Sequence, residues 1–173
     1  TWLTAGRRCA ILVLPRPQAP AYDSRERHAM TRYGPMFGPD ITFLGVDRCT
    51  IDEPETYAGA DIVIMGAPFD GGTSYRAGAR LGPQAIRSTD YLPHDGSRPS
   101  LALRVDGLQD LRVLDAGDVE MFSGDAERSC RDLEAAVTTV AQSGAIPRIL
   151  GGDHTVTWPN ATAVARARGW GRA

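Results

Sequence analysis

With 173 residues, 42% of them hydrophobic and 23% charged, the chain is long enough for one domain with a sizeable core. A net charge of −2 leaves no basic footprint for nucleic acid or an anionic membrane, and no apolar run approaches the length of a membrane span. All nineteen basic residues are arginine, a usage that a GC-rich coding sequence explains without a functional argument.

The chain opens on residues 1–29, where Pro15, Pro17 and Pro20 interrupt any period and residues 24–29 are largely polar. The apolar stretch 9–14, behind Arg7 and Arg8, is too short for a secretory leader, and no small-residue cleavage site follows it. Met30 precedes a stretch that reads as the start of a protein. Residues 1–29 are therefore expected to be upstream sequence or a disordered extension, and residues 30–173 to hold the folded part. Cys9, Cys49 and Cys130 are odd in number and far apart, with no metal spacing, so free thiols in a reducing cytoplasm are expected.

Residues 31–55 are loop-rich, with one short apolar stretch at 41–46. The run DIVIM (61–65), ended by Gly66, reads as a central strand. A glycine-rich loop follows at 69–82, and a short helix begins with Pro83 in its first turn. After a loop at 93–107, residues 111–114 read as a second strand that ends in an acidic turn, DAGDVE (115–120). The clearest helix covers 125–142: Ser123 or Asp125 caps it, Leu133, Ala136, Val137 and Val140 follow helical spacing, and Ser143–Gly144 ends it. Residues 146–150 form a buried strand stopped by Gly151 and Gly152, and 159–168 a last helix. Strands alternating with helices imply an α/β fold with a parallel sheet.

Asp153 and His154 fall at the carboxyl end of that strand, where open α/β sheets place ligands and chemistry. An imidazole beside a carboxylate suits a divalent transition metal such as manganese or zinc, whereas a histidine at a strand end is more often a hydrogen-bonded structural residue. Asp70, Asp115 and Asp118 follow neighbouring strands and offer either outer support for such a histidine or turn caps. The glycine-rich loop matches neither phosphate-binding pattern, and no lysine exists to reach a phosphate. Arg76, Arg80 and Arg87 are read as interface or structural partners of carboxylates rather than catalytic groups. His28 and His94 sit in polar or proline-rich surroundings and read as exposed. No nucleophile elbow appears, and no catalytic residue is singled out.

Three segments, GAPFDGGTSYRAGARLGPQAIR (66–87), LDAGDV (114–119) and LGGDHTVTWP (150–159), together resemble the ureohydrolase family of arginases and agmatinases, the first of them most its agmatinase branch. The resemblance implies a three-layer α/β/α sandwich with a mainly parallel sheet, a homo-oligomer, and two bridged manganese ions. Those ions activate a water for attack on a small guanidino substrate, releasing urea and an amine. It assigns His154 to the metal as the family's first ligand, and leaves the substrate-binding residues unknown. The remaining family ligands lie in later motifs, DxHxD and DxD; no DxHxD occurs among these 173 residues. The chain is thus expected to be either a truncated product, the N-terminal half of the family fold and inactive alone, or a full-length pseudoenzyme. A guanidinobutyrase, an arginase-type enzyme and a non-catalytic α/β interaction module are the alternative readings.

Overall fold

The apolar run beginning at Asp61 builds the strand on which everything else is laid. The computed structural model describes residues 41–89, 99–100 and 102–169. In chain order these form β1 (Ile62–Ala67), α1 (Gly82–Ser88), β2 (Pro99–Ser100), β3 (Val105–Asp106), α2 (Gly107–Asp110), β4 (Val113–Asp118), α3 (Ala126–Gln142), β5 (Ile146–Gly151) and α4 (Thr157–Arg168). Among the described residues strands β2 and β3 pair with each other, antiparallel. The expectations for residues 1–29, His28 and His94 lie outside the described residues.

The main sheet is parallel, in the order β4-β1-β5. β1 is central, with Val63, Ile64, Met65 and Ala67 all buried, as a strand covered on both faces requires. The chain leaves β1 for β4 on one side and then crosses to β5 on the other. Right-handed crossovers therefore place α1 and α3 on opposite faces of the sheet. The direction of winding reverses at β1, so the crevice at its carboxyl end is the natural binding position of the fold.

Helix α3 begins where Asp125 caps it, its carboxylate accepting from the Arg128 amide at 2.9 Å. Its Leu133, Val137 and Val140 are buried with Val63, Met65, Leu114 and Ala163 of α4. Burying each of those α3 side chains stabilises the fold by roughly 1.5–3 kcal/mol. Helix α4 packs on α3, and Arg166 pairs with Glu134 across them. Tyr57 is fully buried, its hydroxyl donating to the Ile51 carbonyl at 3.0 Å. Cys49 is buried too; burial first, then the Asp115 carboxylate, pushes its thiol up to about 11, where it stays protonated.

Three expectations need correction. β1 does not stop before Gly66 but runs through it, because Gly66 and Ala67 pair in register with Leu150 and Gly151; the Asp118 carboxylate lies over Gly66, and a Cβ there would come within 1.8 Å of it. The acidic run 115–118 is not a turn but the second half of β4, with Asp115 paired in register with Ile64 and only 1% exposed. β5, expected to be buried throughout, flanks the sheet among the described residues, and Ile146 at its start is 48% exposed.

Candidate functional site

The carboxyl ends of β1 and β5 are knitted together by backbone hydrogen bonds. Gly152 N–H donates to the Ala67 carbonyl at 3.0 Å, and Asp153 N–H to the Phe69 carbonyl at 2.7 Å. The glycine-rich loop leaves β1 here and the His154–Val156 turn leaves β5, so the two lie side by side at the end of the sheet where such folds keep their binding crevice. Asp153 caps that turn, its Oδ1 accepting from Thr155 N–H at 2.9 Å. Its Oδ2 accepts from Gly72 N–H at 2.7 Å. Burial alone would raise the Asp153 carboxyl, but the hydrogen bonds from Thr155 and Gly72 outweigh it and hold the group below the usual carboxylate range. The His154 side chain is exposed, with Thr157 Oγ1 3.4 Å from its Nδ1.

The loop is braced from within. Asp70 Oδ2 accepts from Gly78 N–H and from Arg80 Nη1, both at 2.7 Å. Arg76 lies over the exposed Tyr75 ring, 5.1 Å from its centre. The Gly78 amide, then Arg80, lowers the Asp70 carboxyl from its ordinary 3.8. Because the folded value is lowered, the contribution of this carboxylate is complete above 3.8 and is lost as pH falls through the lowered value. Asp70→Asn is expected to speed tryptic cleavage after Arg76 and Arg80 at neutral pH several-fold. The melting midpoint should barely move, since exposed pairs contribute little to global stability. Unchanged cleavage would show that the brace does not order the loop.

On the other side of β1, Arg87 of α1 grips the end of β4. Its Nε and Nη2 donate to the two oxygens of Asp115 at 2.8 and 2.9 Å, and its Nη1 to Asp118. Nη2 also reaches the Gly117 carbonyl at 3.0 Å, while Phe43 N–H and Gly117 N–H donate to Asp115, each at 2.8 Å. Arg87 is 7% exposed. Its reading as a structural partner of carboxylates holds, with the partners inside this chain.

Of the two readings left open for Asp70, Asp115 and Asp118, neither support for His154 nor a simple turn cap describes their contacts among the described residues. Asp115 and Asp118 are taken by Arg87 and Asp70 by Gly78 and Arg80, and both oxygens of Asp153 point to backbone amides. The role of Asp153 was missed in the sequence, although an Asx turn ahead of a helical segment (Asp153-His154-Thr155) carries that signal. Among the described residues no group of three His, Cys, Asp or Glu could hold a metal ion.

Comparison with known proteins matches this region. The model of the arginase family covers residues 60–171. A human protein, guanidino acid hydrolase, mitochondrial, is 38% identical over 116 residues, which are 64% of this chain and 31% of that protein. The structure of proclavaminate amidinohydrolase from Streptomyces clavuligerus superposes with a TM-score of 0.66 at 30% identity, covering 78% of this chain and 42% of that one. Formiminoglutamase of Trypanosoma cruzi, solved with Mn2+, superposes at 0.53 with 32% identity, covering 71% and 42%. The chain spans about a third of the length of the curated relatives it matches.

Proposed function

The chain belongs to the arginase family, and from that premise we propose that it forms part of a manganese-dependent amidinohydrolase that cleaves a linear guanidino compound to urea and an amine. The observation that carries the reading is the convergence of the three motif segments. Residues 66–87, 114–119 and 150–159 are far apart in sequence, yet they meet at the carboxyl ends of three adjacent parallel strands. That is the functional end of such a sheet. The names of relatives at 38% and 30% identity support the same substrate class, a guanidino acid or amidino compound.

Within this reading each segment has its own task. His154 is the residue assigned to manganese, which supplies Lewis-acid chemistry when bound. The braced loop 69–82 forms one wall of the crevice beside it, and Arg87 fixes the opposite strand end. Manganese in the Trypanosoma cruzi relative supports the choice of metal. No hydrolytic step is assigned to the described residues, because they bring only one ligand to the crevice.

The 173-residue chain supplied with manganese is therefore expected to release no urea above background from agmatine or 4-guanidinobutanoate. A chimaera is expected to do so, in which residues 41–169 replace the equivalent part of proclavaminate amidinohydrolase. A chimaera that folds, retains manganese and yields no urea from any guanidino compound would overturn the proposal. Urea from the chain alone would overturn the assignment of an incomplete centre.

A further inference from the structure

Asp153 lies between the two elements that flank the crevice and touches both with one carboxylate. Oδ1 holds the Thr155 amide and so sets the turn that begins with His154, and Oδ2 holds the Gly72 amide and so sets the entry of the glycine-rich loop. The backbone of the same residue is pinned to the Phe69 carbonyl at 2.7 Å, so the carboxylate swings from a fixed point at the sheet's edge. The approach is close enough to demand glycine: a Cβ on Gly72 would come within 2.2 Å of Thr155 Oγ1 and 3.1 Å of Asp153 Oδ2. Loop and turn therefore meet closely here, and this side chain hydrogen-bonds to the backbone of both.

We propose that Asp153 is a positioning residue for His154, a two-way clamp through which the placement of the glycine-rich loop and the placement of the imidazole are coupled. The proposal rests on His154 being the working residue of the crevice, and it adds how that residue is held. His154 is exposed, and Thr157 Oγ1 stands at 3.4 Å, the long end of hydrogen-bonding distance. Its direction is accordingly set more by the turn beneath it than by partners on its ring. A carboxylate accepting two backbone N–H groups is the strong, directional kind of contact that fixes such a turn. The loop bears its own internal brace at Asp70, which makes it one unit joined to the turn at Gly72. Displacing that unit drags the Asp153 carboxylate, and with it the first residue of the turn.

The clamp is separable by substitution. In Asp153→Ser the short hydroxyl still caps the Thr155 amide but no longer spans to Gly72. Gly72→Ala pushes the loop away from the other side and leaves Asp153 intact. Both variants of the 173-residue chain are to be studied without metal, by hydrogen–deuterium exchange and by the rate of diethylpyrocarbonate modification of His154, each read by peptide mass. Exchange in the peptide spanning 71–78 is expected to quicken on the order of tenfold or more, the size of one hydrogen bond to a charged acceptor. His154 modification is expected to accelerate about threefold or more in both variants while α3 keeps its protection. Modification at the unaltered rate with a loosened loop would overturn the coupling, as would an unaltered loop in Asp153→Ser. If Asp153→Ser fails to fold, Gly72→Ala decides alone by the same readings. Because no metal is present, a negative result here counts against the clamp and leaves the metal role of His154 to its own test.

Discussion

Arg87→Ala is expected to destabilise the fold by about 3–5 kcal/mol, the cost of leaving a buried charge without its partner. Asp115 is 1% exposed, and the guanidinium covers both of its oxygens. After truncation the carboxylate keeps, among the described residues, the Phe43 and Gly117 amides, two hydrogen bonds that do not neutralise its charge. Asp118, freed of the same arginine, is partly exposed and can turn to water, so the penalty centres on Asp115. Asp115→Leu should not be benign either, because it orphans two backbone donors at about 1–3 kcal/mol each. Arg131→Ala is the control: its partner Glu127 stands at 2.9 Å with both groups well exposed, and the change should stay within about 0.5 kcal/mol. Thermal and guanidinium unfolding measure all three. A loss under about 1 kcal/mol for Arg87→Ala would mean that water reaches the Asp115 carboxylate on its removal.

The same arginine shows where the sequence was legible and where it was not. α3 was readable almost to the residue, because its cap at Asp125 and its stripe of Leu133, Val137 and Val140 are local signals with one period. The parallel sheet was readable from short apolar runs punctuated by glycine. β4 was only half visible, because Asp115 looks like surface chemistry unless its partner, 28 residues earlier in the chain, is known. A buried ion pair erases the hydrophobic signature of the strand that holds it. Asp70 and Asp153 failed for the same reason: a carboxylate at a strand end reads alike whether it faces a metal, a cation or a backbone amide. The three motif segments carried the family through residue identity and order, which periodicity alone does not contain. His154 was placed correctly at a strand end, and its company was not.

In the chimaera that carries residues 41–169 inside a full-length relative, His154→Ala is expected to leave the fold unchanged and to lower bound manganese and urea release together. The structural half follows from exposure: among the described residues the polar neighbour of the side chain is Thr157 Oγ1, at 3.4 Å, so its loss should cost within about 0.5 kcal/mol. The chemical half follows from donor count. Removal of an outer partner of a metal ligand costs roughly 10–100-fold in affinity or activity, and removal of the ligand itself should exceed that. Occupancy should fall unevenly if two ions are held, since one imidazole serves one of them. In the 173-residue chain the same substitution should leave the melting midpoint within about 2 °C, the shift that about half a kcal/mol produces at this length. Elemental analysis and urea release in the chimaera, with calorimetry of both proteins, separate the cases. Unchanged manganese and turnover would return His154 to a structural role. Lost turnover with full manganese occupancy would instead make it a group that meets the substrate, and would move the metal to residues contributed by the relative.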